Sequence, residues 1–413
     1  MTYDLAAISA TMKAIAALID AGLDPVSPVE PQPEPVEPTP VDPVPVPVDP
    51  TPVDPVPVDP APVDPAPVDP VPVDPAPPVI GRTIATDAAD LQAKLAAAVD
   101  GDTIGLKGEF GDIYLANVNK SVRIVGDAID QAHFDKLRLG KCSGLTFEGF
   151  TVYPRVQPVI TNVKQFAVQV DSGSDITFDG LLIRGREDSD TFENWTAQDW
   201  LDWRMGAIWT RGARCKVLNT RAIGVQGGMS IAGVGSEIRN SRVEGFSDDG
   251  MRINASDCGI YDSWISDRVK INEDHPDGIQ IFGPAGTVLR NAVVSGVTIR
   301  DRSRAISDAL WTYLQGIGLF NGPYENILIE SVDARVSSYH GITVGNVDGL
   351  VIRNNTIRRG HNVIKPGYPH IAVTMGKGGE APQNIQVYDN SAPKFTLGAV
   401  AADQLTAYNN VVV

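Results

Sequence analysis

The chain has 413 residues, a formal net charge of −17, 32 prolines and three cysteines. Residues 1–80 hold 13 acids and one Lys, whereas 81–413 hold 38 acids and 33 Lys/Arg. The acidity therefore belongs to the N-terminal segment, and no basic stripe marks a nucleic-acid site.

No stretch is apolar enough to span a membrane, and Met1-Thr-Tyr-Asp lacks the basic segment and apolar run of a secretory leader. Residues 1–24 are read as an attachment or oligomerisation helix. Leu5, Ile8, Met12, Ile15 and Ile19 recur at alternating steps of three and four, a coiled-coil seam suited to self-association or docking on a larger partner. Gly22 and Pro25 end it. Residues 25–80 repeat Pro-Val-Asp-Pro. Fixed φ and missing donors exclude helix and sheet, so polyproline II is expected. At ~3.1 Å per residue this linker could reach on the order of 170 Å.

Residues 81–413 form the globular part. A capping helix is expected over 87–100, followed by Gly101-Asp-Thr-Ile-Gly-Leu as the first strand. Short strands then recur as Gly206-Ala-Ile-Trp-Thr, Gly228-Met-Ser-Ile, Gly250-Met-Arg-Ile, Gly278-Ile-Gln-Ile, Gly316-Ile-Gly-Leu, Gly341-Ile-Thr-Val and His370-Ile-Ala-Val. Their first apolar residues are Ile208, Met229, Met251, Ile279, Ile317, Ile342 and Ile371, at steps of 21, 22, 28, 38, 25 and 29 residues. A second series runs between them, from Cys215-Lys-Val-Leu-Asn to Asn384-Ile-Gln-Val-Tyr-Asp, and includes Val288-Leu-Arg-Asn. Period-2 alternation repeated every 20-odd residues, without a helix in each unit, indicates an all-β parallel solenoid. Asn219, Asn240, Asn291 and Asn354, with Asp262 and Asp389, are assigned to one position of successive coils. There an amide could bond the turns above and below, or serve simply as a turn residue. The three cysteines, Cys142, Cys215 and Cys258, read as buried thiols.

The residues beyond the basic 22 fall just before the Gly-started strand, at 186–205, 268–276, 301–314 and 361–368. Loops from one corner of a solenoid stack on one side, which makes that side the candidate binding face. Trp195, Trp200, Trp203, Trp209, Trp311 and Tyr313 offer flat faces suited to sugar rings. The alternative is that the Trp residues pack the loops' own small core. Before each strand glycine come Gly227, Asp249, Asp277, Gln315 and His340. Coils lie roughly 4.8 Å apart, so Asp249 and Asp277 should be neighbouring carboxylates, with Asp248 and His275 beside them and His340 two coils on. Two positions after each strand glycine, facing outward, come Arg252 and Gln280. Close carboxylates push their pKa values apart, as acid–base work on a glycosidic bond requires. Ordinary Asp-Gly turns are the competing reading. No metal site is assigned beyond a weak grouping of Glu273, Asp274 and Asp277, and no cofactor motif is present.

The helix followed by Gly-Asp-Thr-Ile, the coil length and the Asn series together resemble the right-handed pectate-lyase-like β-helix superfamily over residues 83 to about 410. That resemblance implies a right-handed parallel β-helix. It leaves open lyase, hydrolase, epimerase and tailspike activities. Ser247-Asp-Asp-Gly, Pro276-Asp-Gly and Tyr339-His-Gly are similar to the acidic cluster of family 28 polygalacturonases, although the order of the carboxylates differs and their Arg-Ile-Lys motif is absent. An N-terminal helix, a stiff stalk and a distal β-helix resemble a phage or gene-transfer-agent spike. The implied role is a particle-surface protein that binds, and where the carboxylates are catalytic cleaves, a host cell-surface polysaccharide. It would dock on a capsid or tail protein through residues 1–24 and form a homo-oligomer, most simply a trimer. A free polysaccharide hydrolase or lyase and a purely structural stalk are the rival expectations.

Overall fold

The computed structural model describes residues 83–160, 164–271, 277–307, 309–361 and 368–413. The N-terminal helix, the Pro-rich linker, His275, Glu273 and Asp274 lie outside them. The described residues form a right-handed parallel β-helix. Every named strand pairing is parallel and links one coil to the next, as in Lys216–Leu218 with Glu237–Arg239 and Met229–Ile231 with Met251–Ile253.

A full coil carries three short strands, for example Glu237–Arg239, Arg242–Phe246 and Met251–Ile253. The expected register of the third strand holds throughout: Ile208, Met229, Met251, Ile279, Ile317, Ile342 and Ile371 are successive partners. All seven are fully buried in one continuous core, so each coil covers the apolar rung of its neighbour. The glycine that opens these strands has a steric cause. A Cβ on Gly228 would lie 1.8 Å from the Gly250 carbonyl oxygen and 2.9 Å from Val243, so in this coil the backbones approach too closely for a side chain, whereas Ala207 and Ala167 hold the same position in the two coils before it.

Helix α1 (Ala88–Ala97) caps the first coil as expected. Asp87 accepts from the Asp90 amide, Leu91 and Leu95 are buried, and the Lys120 ammonium donates to the carbonyls of Leu95, Ala96 and Ala98. A cation thus satisfies the orphan carbonyls at the negative end of the helix dipole.

Two details of the repeat differ from the sequence reading. Val288-Leu-Arg-Asn is not the first strand of its coil. Val293–Ser295 takes that place, pairing with Gly259–Tyr261 and Leu328–Glu330. The Asn series also splits. Asn219, Asn240, Asp262, Asn354 and Asp389 share one corner, with φ between 47° and 55°, a left-handed conformation that Asn and Asp tolerate. Asn291 belongs to a different corner with Asp257 and Asn326, and its amide bonds Asp257 Oδ1 at 2.7 Å. The buried polar ladder sits one residue further on. Thr220 and Ser241 amides donate to the Ser241 and Ser263 hydroxyls, and Asn355, Asn390 and Asn410 side chains join coil to coil at 2.9 Å. That position faces inward, where an unpaired backbone amide would be costly.

Candidate functional site

The third strands carry two outward columns. The first runs Phe166, Gly206, Gly227, Asp249, Asp277, Gln315, His340, and the second Gln169, Trp209, Ser230, Arg252, Gln280. Small residues at Gly206, Gly227 and Ser230 leave a cleft between Phe166 and the acidic cluster. Lys164, Phe166, Gln226, Asp248, Asp249 and Arg252 are among its lining residues; its enclosed part has room for about one water and the rest opens to solvent.

The adjacency of Asp249 and Asp277 read from the sequence is present, because Met251 and Ile279, two residues on from each, are register partners. Both carboxyls are withdrawn from solvent, with Asp249 3% and Asp277 1% exposed. Asp249 Oδ1 accepts from the Asp277 backbone amide at 3.3 Å and Oδ2 from Arg252 Nε at 2.5 Å. Asp248 Oδ2 accepts from another Arg252 nitrogen at 2.8 Å and from Lys164 Nζ. Among the described residues neither carboxylate oxygen of Asp277 has a partner at full hydrogen-bond geometry, although the Gln280 side chain lies near enough to favour the ionised form.

This environment raises both acids. Burial pushes Asp249 up to about 6, against the pull of the Arg252 guanidinium and with a further push from Asp248. Burial and then the neighbouring Asp249 charge push Asp277 well above the ordinary carboxylate range, opposed by Arg252. Lacking a hydrogen-bonded cation of its own, Asp277 holds its proton more firmly than Asp249. The cluster is thus an acid and a conjugate base on adjacent coils, with a guanidinium fixing the base.

Of the remaining sequence candidates, Gln280 is Arg252's neighbour on the next coil and is partly buried. His340 is not brought to the carboxylates. It lies two coils beyond Asp277, roughly 10 Å along the axis, where its Nδ1 faces the Thr343 hydroxyl at 2.8 Å and its ring packs against Tyr339 and Phe320. His275 lies outside the described residues.

Trp195, Trp200 and Trp311, for which the sequence left ligand contact and loop packing open, are buried with Phe192, Ile306 and Leu310 against Ile223 and Val269. Helix α2 (Ala197–Asp202), whose N-cap Thr196 and Asp199 bond reciprocally, delivers Trp200 into this small core. The Arg304 guanidinium ties the third insertion to the first through Asp190 O at 2.7 Å and Glu193 at 3.1 Å. The insertions therefore pack on the second strands through Leu182 and Ile223 rather than standing free as a sugar platform. Trp203 and Tyr313 are only partly buried. Trp209 is also partly covered, with Phe166 stacked on it at 5.4 Å and the Arg211 guanidinium 4.0 Å from its ring centre.

Sequence reasoning missed Lys164, Phe166, Gln226 and Ser230. The signal for Phe166 was present: Phe166-Ala-Val-Gln-Val is a third strand with Ala in place of the opening Gly, and placing it in register puts Phe166 beside Gly206.

No protein-family model matches the chain, and no curated protein matches it. Solved structures do. The Dettilon tailspike protein aligns at 15% identity with a TM-score of 0.50, over 74% of this chain and 57% of its own. This chain thus spans little more than half of that tailspike. The Azotobacter vinelandii mannuronan C-5 epimerase AlgE6 A-module aligns at 12% identity and TM-score 0.48, covering 81% of this chain and 97% of its own. The catalytic domain of a GH87 alpha-1,3-glucanase in complex with nigerose aligns at 13% identity and 0.43, covering 81% and 70%. At these identities the likeness establishes the parallel β-helix fold, and fold alone does not assign chemistry.

Proposed function

We propose that this protein is the polysaccharide-binding and polysaccharide-cleaving spike of a phage or gene-transfer-agent particle. The observation that carries the chemistry is the buried pair Asp249 and Asp277, on adjacent coils beside a cleft, with the two carboxyls in different environments. Asp277, as the protonated acid, gives its proton to the glycosidic oxygen as the bond to the anomeric carbon breaks. Asp249, ionised and oriented by Arg252, attacks that carbon from the other side; water, giving a proton back to Asp277, then attacks the same carbon and frees Asp249. Adjacent-coil spacing near 4.8 Å suits this retaining course better than the wider separation that inversion requires. Phe166 and the Trp209 edge supply apolar contact for a sugar ring at one end of the cleft.

The particle assignment draws its support from elsewhere. Residues 1–24 carry an apolar seam and residues 25–80 a Pro-rich spacer, an arrangement suited to docking on a capsid or tail protein with the β-helix held at a distance, and to assembly as a trimer. The fold shared with the Dettilon tailspike agrees with this reading.

The test is release of reducing ends from an envelope polysaccharide that the protein binds. Wild-type protein should release oligosaccharides of retained anomeric configuration. Asp249→Asn and Asp277→Asn should each bind and release none. Binding without cleavage by the wild type would remove the enzymatic half of the proposal. Absence of the protein from purified particles of the producing strain would remove the particle half, and a monomer by light scattering would remove the trimer.

A further inference from the structure

The charge balance of the cleft bears on which polysaccharide it takes, and this inference rests on the sugar-binding reading above. Of the residues lining the cleft, Lys164 and Arg252 are the cations, and both are already committed. Arg252 donates to Asp249 and to Asp248, and Lys164 pairs with Asp248. Asp277 adds a third carboxyl beside these two pairs. No spare positive charge is directed at a ligand, and the surplus group is acidic. The uncharged polar groups are Gln226 and Ser230 in the cleft, with Gln280 beside Arg252 and Gln315 beside Asp277. Gln315 Oε1 has no hydrogen-bond partner although the residue is only 8% exposed.

A sugar carboxylate entering this cleft would meet the carboxyls of Asp248 and Asp249 and, among the lining residues, no cation that is not already paired. An anion withdrawn from water without a partner is strongly disfavoured. Hydroxyl groups meet the Gln226 amide and the Ser230 hydroxyl, with which they can exchange hydrogen bonds. We propose that the cleft selects uncharged hexose units and rejects uronates, and that Asp248 is the residue that sets this preference by neutralising Lys164 and half of Arg252.

The experiment is saturation-transfer NMR on the full chain with paired probes that differ only at C6. The pairs are the methyl glycosides of glucose, mannose and galactose against those of glucuronate, mannuronate and galacturonate. At least one neutral glycoside should receive saturation, and its uronate should receive at least tenfold less. A Cβ on Gly227 would lie 3.8 Å from Asp248 Oδ2, an ordinary contact. Gly227→Leu, confirmed folded by its melting temperature, should fill the cleft and abolish the signal, which places the binding there. Asp248→Asn, confirmed folded by its melting temperature, should raise the uronate signal at least tenfold as it frees Lys164. A uronate that binds the wild type as well as its neutral partner, lost in Gly227→Leu, overturns this inference and leaves sugar binding intact. An Asp248→Asn variant with unchanged preference overturns the role of Asp248. Saturation of no probe, or saturation that survives Gly227→Leu, counts against the cleft as a sugar site and so against both proposals.

Discussion

Replacing Asp277 with Asn should make the protein more stable, and the gain should depend on pH. The Asp277 carboxyl is 1% exposed, among the described residues its oxygens have no partner at full hydrogen-bond geometry, and Asp249 lies on the neighbouring coil. In the unfolded chain it titrates near 3.8, and in the fold well above that. Between those two values the folded state holds a proton that the unfolded state has lost, so stability falls as pH rises. Each pH unit across which the folded state keeps that extra proton lowers stability by about 1.4 kcal/mol. Asn is neutral in both states and removes that cost. Urea melts at pH 7 should show Asp277→Asn more stable than wild type with an unchanged m-value. At pH 4 the difference should be smaller. A variant less stable than wild type at pH 7, or a gain that does not vary with pH, would refute the reasoning. Such a stability deficit is what an acid kept for chemistry produces.

Other outcomes follow from the same structure. The pH dependence of kcat/KM should be bell-shaped, rising as Asp249 ionises through about 6 and falling at higher pH as Asp277 loses its proton. Arg252 lowers Asp249, so Arg252→Gln should move the rising limb to higher pH, as a pH–rate series would record. Trp200→Ala and Trp311→Ala should each remove about 3–5 kcal/mol of packing from the small core they share, seen as faster hydrogen exchange in residues 186–205 and 304–311. Asn355 bonds the Val332 amide and Asn390, so Asn355→Ala should cost about 1–3 kcal/mol per buried group left unpaired, measured by denaturant melts.

Much of this fold was legible because a solenoid repeats its constraints. The Gly-then-apolar strands could be laid in register by eye, and that register alone made Asp249 and Asp277 neighbours. The errors occurred where the repeat carries less information. In the coil holding Val288-Leu-Arg-Asn, two short apolar runs lie four residues apart, and only pairing with Gly259–Tyr261 shows which is the strand. The ladder was placed one residue early because left-handed corners and inward amides both favour Asn. Which of the two a given Asn serves depends on which way its side chain turns. The Trp residues were ambiguous for a similar reason. A tryptophan in an insertion suits a sugar or a small core equally, and the choice was made by Ile223 and Val269, which lie on other strands. Lys164 had no local signal, since its partner Asp248 is 84 residues away.

A polysaccharide bound in the cleft should lie with its scissile bond against the acid pair. In a crystal of the Asp277→Asn variant soaked with oligosaccharides from a polymer the wild type cleaves, a sugar should lie between Phe166 and residue 277, with a glycosidic oxygen within hydrogen-bond reach of the Asn side chain, about 2.6–3.2 Å. Oligosaccharide bound on another face, with the cleft between Phe166 and Asp249 empty, would contradict it.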